Sequence, residues 1–173
     1  MDVQRIQRAI RDIPDFPKPG VVFKDIAPVL ADPELFRLTI DVFEERFRDR
    51  GVDKVAAIDA RGFLFAGALC DRLGIGLVPI RKKGKLPWET YEETYDLEYG
   101  TATMAMHRDA LQPGDRVLLL DDLLATGGTA AAAVKLIERG GGQVMGIAFL
   151  IELAFLKGRG KLMDHDLFVP IVY

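Results

Sequence analysis

The chain has 173 residues, 49% of them hydrophobic and 28% charged, with a formal net charge of −3. A chain of that length buries roughly 70% of its unfolded surface, enough for one core without a disulfide or metal staple, and its acidic balance argues against a broad nucleic-acid-binding face. No stretch approaches the roughly 20 apolar residues of a membrane span, and the single Cys70, inside FLFAGALC, predicts a reduced, buried thiol in a cytoplasmic protein that is neither secreted nor membrane-bound.

In chain order, MDVQRIQRAIRDI is an amphipathic helix candidate. Asp32 and Pro33 open a second helix, in which Phe36, Ile40, Phe43 and Phe47 recur at spacings of four, three and four, and Gly51 closes it. A buried strand follows over Lys54–Ile58, then a helix over Phe63–Leu73 ending at Gly74, and a short strand over Leu77–Ile80. The stretch from Lys82 to Tyr95 is rich in charge and aromatics without a clear pattern. Loops of that length in compact domains are usually functional or disordered, so this is the candidate lid, taken to extend over about residues 82–99. Thr101–His107 alternates as a strand, Val117–Leu120 is a continuous apolar strand, Thr129–Arg139 is a helix, and Val144–Ile151 is a strand. This order predicts an α/β fold with a mainly parallel sheet and helices on both faces, in one domain covering residues 1–173.

The segment VLLLDDLLATGGT, from Val117 to Thr129, carries the chemistry. A strand buried on both faces delivers Asp121 and Asp122 at its carboxyl end, where open α/β sheets bind ligands. The Ala-rich helix behind it presents unpaired backbone N–H groups and a partial positive charge to an anion. Gly127 and Gly128 allow close backbone approach, while the Thr126 and Thr129 hydroxyls add donors. Two carboxylates suit the vicinal diol of a sugar, and the turn beside them suits its phosphate. The competing interpretation is a polar turn with Thr129 as an ordinary helix N-cap. The chain has no G-x-x-x-x-G-K-[ST], and Gly74–Pro79 lacks the third glycine of G-x-G-x-x-G, which argues against Walker and Rossmann nucleotide sites. His107 and His165 are isolated and suggest no metal site.

This segment resembles the phosphoribosyl pyrophosphate signature of type I phosphoribosyltransferases, and its LLATGGT ending resembles the adenine phosphoribosyltransferase branch. FPKPGVVFKDI (Phe16–Ile26), DARGFLF (Asp59–Phe65), IRKKGKLP (Ile80–Pro87) and YDLEYG (Tyr95–Gly100) match the same branch in the same order. The resemblance covers about Phe16 to Lys157 and implies the Rossmann-like fold of that family, with a flexible lid loop.

It further implies a reaction: adenine and 5-phosphoribosyl 1-pyrophosphate give AMP and pyrophosphate, in purine salvage. Asp121, Asp122, Ala125, Thr126, Gly127, Gly128 and Thr129 would hold the ribose phosphate. Ala60, Arg61, Arg81, Lys82 and Lys85 would meet the pyrophosphate, with Arg81 and Lys85 the better candidates within the run Arg81, Lys82, Lys83, Lys85. That run also fits a solvated basic loop, and Arg61 also fits a surface arginine paired with Asp59. The loop at Asp59–Gly62 often contains a strained peptide in the family.

Val22, Phe23 and Lys24, within residues 1–30, would form the adenine pocket together with Arg61 and Leu124. Phe23 equally suits a core position, and Lys24 stands where the family often has arginine, keeping the charge without the planar fork. Glu98 would be the acid/base, and Tyr99 a substrate contact or a half-buried structural tyrosine. Magnesium would arrive on the sugar substrate, without dedicated protein ligands, and the molecule would be a homodimer.

Enzymes for 6-oxopurines usually carry a third Asp directly before the Thr-Gly, where this chain has Ala125. That favours adenine over another base. A non-catalytic regulator that binds the same sugar pyrophosphate is the remaining alternative, opposed by the acidic balance.

Overall fold

The computed structural model describes residues 2–97 and 100–173. The chain divides into two compact units, residues 1–45 and 46–173.

In the first unit, helix α1 (Asp2–Ala9) is followed by strands β1 (Arg11–Ile13) and β2 (Phe23–Asp25), paired antiparallel. The amino-terminal helix therefore stops four residues before the Ile13 that ended the expected one. Cross-strand ion pairs account for the difference: Arg11 Nη2 lies 2.9 Å from Asp25 Oδ2, and Lys24 Nζ lies 2.6 Å from Asp12 Oδ1. A short helix α2 (Ala27–Ala31) leads to α3 (Pro33–Phe47). The expected cap is present, with Asp32 Oδ1 accepting from the backbone N–H groups of Glu34 at 2.9 Å and Leu35 at 3.0 Å.

The second unit carries the sheet. Strands β3 (Lys54–Ile58), β4 (Gly76–Lys82), β7 (Arg116–Leu124), β8 (Gln143–Glu152), β9 (Leu167–Phe168) and β10 (Ile171–Val172) pair in parallel, and β5 (Thr90–Asp96) and β6 (Thr101–His107) complete it antiparallel. The order is β10-β8-β7-β3-β4-β6-β5, with β9 beside β8. Helix α4 (Arg61–Leu73) packs on β3, β4 and β7, and α5 (Gly128–Arg139) on β5 to β8.

The core follows from the apolar runs. Ala56, Ile58, Val117, Leu119, Ile147 and Phe149 pack with Ala133, Leu136 and Ile137 of α5. The alternate strand residues Val55, Ala57, Leu118, Leu120 and Ala148 are equally buried, so the central strands are covered on both faces.

Two further expectations need correction. Strand β7 runs on to Leu124, so Asp121 and Asp122 lie within its last turns of pleat rather than beyond its end. The unstructured lid expected over 82–95 is partly strand: β4 extends to Lys82, and Thr90–Asp96 pairs residue for residue with Thr101–His107. The alternating Thr and Tyr of TYEETYD favour that strand, and Tyr91 and Tyr95 pack against the core.

The entry to the sheet is clasped by Asp53, whose carboxylate receives Arg116 Nε at 3.0 Å, Nη2 at 2.9 Å and the Arg116 backbone N–H at 2.9 Å. The Arg116 hydrogen bonds hold the Asp53 pKa down to about 2, against 3.8 ordinarily. A depressed carboxylate pKa stabilises the fold above the ordinary value, and the contribution disappears as pH falls through the folded one. Asp53→Asn is therefore expected to lower the thermal midpoint at pH 7 and to flatten its decline between about pH 4 and about pH 2. Circular dichroism melts across that range check this; an unaltered acid limb would refute the clasp.

Candidate active site

Neighbouring strands β4, β3 and β7 end at one edge. Ile58 is in register with Ile80, and Ala57 with Leu120, so Asp59, Arg81 and the Asp121–Asp122 pair follow side by side. This carboxyl edge of a parallel sheet is the ligand-binding edge of open α/β folds.

On β7, the two carboxylates perform different tasks. Asp121 lines a concavity of about 80 Å³ together with Leu124, Ala125, Thr126, Gly127 and Thr129. One water needs about 10–15 Å³ by a comparable measure, so this space admits a larger anion. Asp121 Oδ1 also accepts from the Asp122 backbone N–H at 2.8 Å. Asp122 is 4% exposed, and its Oδ2 lies 2.7 Å from Arg61 Nε. Burial, reinforced by the charge of Asp122, raises the Asp121 pKa well above the carboxylate range. Burial also raises that of Asp122, opposed by the Arg61 charge.

The approach of α4 to this edge requires glycine. A Cβ on Gly62 would stand 2.9 Å from Asp121 Oδ1 and 3.0 Å from the Leu120 carbonyl oxygen, so the absent side chain lets the first turn of α4 meet β7 beneath the carboxylates. The preceding Asp59–Ala60 peptide is cis.

The turn after β7 is built for an anion. Gly127 caps α5 with φ +79°, a left-handed conformation, and the first turn of the helix leaves N–H groups without intrahelical partners. The Thr129 side chain does not cap the helix; Oγ1 donates to Tyr95 Oη at 3.0 Å.

Behind the turn lies a support that the sequence did not disclose. Gly158, opening a 3-10 turn over Gly158–Lys161, lies so close that a Cβ on Gly127 would collide with its carbonyl oxygen. That turn is anchored by Arg159 Nε on Glu152 Oε1 at 3.2 Å, with Glu152 4% exposed. An acidic residue closing the apolar run of β8 was the signal available.

Of the basic run, Arg81 donates through Nε to Asp59 Oδ2 at 2.9 Å and through Nη1 to the Lys85 carbonyl oxygen at 3.3 Å. Asp59 is thus the partner of Arg81, and Arg61 is the partner of Asp122. Ala60, Lys82 and Lys85 are exposed, and Lys83 pairs with Glu92 at 2.8 Å. Leu124 ends β7 and is buried.

In the first unit, Val22 is 48% exposed and the Phe23 ring meets Phe16 edge-on at 5.2 Å between centroids. Lys24 is held by Asp12. Glu98 and Tyr99 lie outside the described residues. Among those described, no group of three or more His, Cys, Asp or Glu side chains is placed to hold a metal ion.

Residues 26–171 match the phosphoribosyl transferase domain family. The chain belongs to the phosphoribosyltransferase family. This phosphoribosyltransferase is 59% identical over 162 residues to the adenine phosphoribosyltransferase of Thermobifida fusca (strain YX), covering 94% of this chain and 92% of the relative. Its fold matches the crystal structure of adenine phosphoribosyltransferase from Thermoanaerobacter pseudethanolicus with a TM-score of 0.96 at 50% identity, over 99% of each chain. It also matches the enzyme from Saccharomyces cerevisiae, crystallised with D-2,5-dideoxy-2,5-imino-altritol 1,6-bisphosphate and adenine, with a TM-score of 0.93 at 39% identity over 98% of each chain. Within the family, the chain therefore joins the branch whose members carry the adenine phosphoribosyltransferase name.

Proposed function

We propose that the protein is an adenine phosphoribosyltransferase of purine salvage, converting adenine and 5-phosphoribosyl 1-pyrophosphate into AMP and pyrophosphate. The observation that carries this reading is the concavity shared by Asp121 and the Ala125–Thr129 turn, on the same sheet edge as Arg81 and beside the Arg61–Asp122 ion pair.

In this reading the 5-phosphate sits on Ala125, Thr126, Gly127, Gly128 and Thr129, where helix N–H groups and hydroxyls donate to it. Asp121 accepts from the ribose hydroxyls. Asp122, engaged with Arg61, fixes that guanidinium beside the ribose and adds negative charge near a sugar with oxocarbenium character. The Ala60 backbone, Arg61, Arg81, Lys82 and Lys85 stabilise the departing pyrophosphate. Glu98 accepts the N9 proton of adenine as that nitrogen attacks the anomeric carbon, or holds a proton at N7. Base recognition is assigned to the Val22 backbone, the Phe23 ring and Lys24, and to Arg61 and Leu124.

Magnesium would be carried by the substrate. The ion prefers water and phosphate oxygens with few protein carboxylates, which fits a site whose Asp122 is already paired with Arg61. When bound it neutralises pyrophosphate charge. Cytoplasmic work fits Cys70, a buried thiol that burial pushes up to about 11. A homodimer fits the exposed Phe155, Met163 and Val172.

Ala125 supports adenine over 6-oxopurines, because the carboxylate that would serve their N7 is absent. The test supplies magnesium 5-phosphoribosyl 1-pyrophosphate with adenine, hypoxanthine, guanine, xanthine, uracil or orotate in turn. Adenine is expected to exceed every other base in kcat/KM by at least about 10²-fold. Comparable turnover of an oxopurine would overturn the base assignment, and no turnover with any base would overturn the enzyme reading.

A further inference from the structure

Strand β5 lies along α5 and is pinned to it at three alternate residues. The Arg139 guanidinium stands over the Tyr91 ring at 5.6 Å, Lys135 Nζ lies 3.1 Å from Glu93 Oε1, and Thr129 Oγ1 lies 3.0 Å from Tyr95 Oη. The geometry is commensurate: ten residues of helix rise about 15 Å, and four residues of strand span about 13 Å. The half-buried Tyr95 ring also covers Gly128, where an added Cβ would stand 3.2 Å from Cδ2. The roles assigned so far make no use of this tyrosine.

We propose that Tyr95 is a positioning residue for the substrate phosphate, holding the Thr129 hydroxyl so that its single proton is directed at the bound phosphate group. This rests on the reading of Ala125–Thr129 as the phosphate cradle. A threonine hydroxyl has one proton and two lone pairs. In this structure Thr129 donates that proton to Tyr95 Oη. A phosphate in the cradle offers only acceptors to this hydroxyl, so the Thr129 proton turns to it. The Tyr95 hydroxyl then rotates and donates its own proton to a lone pair on Thr129 Oγ1. Both hydroxyls stay neutral, and no proton changes its parent oxygen. The resulting chain, Tyr95 to Thr129 to phosphate, aligns two dipoles on one anion and strengthens the terminal, charge-assisted bond. The Lys135–Glu93 and Arg139–Tyr91 contacts hold β5 in register, so the phenol stays within reach.

Tyr95→Phe keeps the ring over Gly128 and removes the hydroxyl alone. Calorimetric titration with ribose 5-phosphate, with steady-state kinetics alongside, is expected to show Kd and the KM for 5-phosphoribosyl 1-pyrophosphate rising about three- to tenfold. The KM for adenine and kcat stay near parental values. In a Thr129→Ala background the same change has no further effect, whereas in a Thr129→Ser background, which keeps the hydroxyl, the loss returns. Equal losses in the Thr129→Ala background would assign Tyr95 to packing and overturn the proposal, as would unchanged affinity in the parent background. If the parent protein itself fails to bind ribose 5-phosphate, the cradle reading falls and takes this proposal with it. Parental binding that is insensitive to Tyr95→Phe removes the proposal alone.

Discussion

Glu98→Gln is expected to lower kcat by about 10²- to 10⁴-fold, the usual contribution of a positioned acid or base. Glutamine preserves the size and one carbonyl acceptor but cannot take the N9 proton. In the proposed mechanism the interaction lost belongs to the transition state, so kcat and kcat/KM should fall together while the KM for the sugar substrate stays near its parental value. Pre-steady-state measurement of AMP formation separates this chemical step from product release. Turnover equal to that of the parent would remove Glu98 from the mechanism.

The second large effect is expected at Gly127. Its φ of +79° lies in the left-handed region, where a side chain costs about 1–3 kcal/mol. The added methyl would also strike the Gly158 carbonyl oxygen, so the phosphate turn or the 3-10 turn behind it must move. Gly127→Ala should therefore raise Kd for ribose 5-phosphate and the KM for 5-phosphoribosyl 1-pyrophosphate by at least about tenfold, since misplacement near 1 Å is costly. Gly114→Ala serves as the comparison: φ there is +88°, but nothing lies within 4 Å of an added Cβ. That variant should lose some thermal stability and keep its substrate affinity. Parental affinity in Gly127→Ala would contradict the role given to the turn.

Much of this arrangement was legible where one physical signal dominated. The apolar runs over Lys54–Ile58 and Val117–Leu120 marked strands buried on both faces, and Asp32–Pro33 marked a helix start that the Asp32 hydrogen bonds reproduce. The ATGGT turn declared itself through its glycines and the helix behind it.

Strand β5 was illegible because its partners are distant: Lys135 and Arg139 neutralise and cover a polar segment that, taken alone, reads as loop. The same limitation hid Gly158, whose significance depends on a close approach to Ala125 and Gly127, far earlier in the chain. The adjacent aspartates read as a matched pair, yet Arg61 claims Asp122 while Asp121 faces the concavity, a division set by tertiary contact. The ion pairs of Arg61 and Arg81 could not be assigned from spacing, since either arginine could have reached Asp59.

Product balance in the adenine reaction tests the central claim most directly. Purified protein with magnesium 5-phosphoribosyl 1-pyrophosphate and adenine should yield AMP and pyrophosphate in equal amounts, with neither formed when adenine is omitted. Pyrophosphate released without AMP, or no product at all, would contradict the reading of this site as one that transfers phosphoribose to adenine.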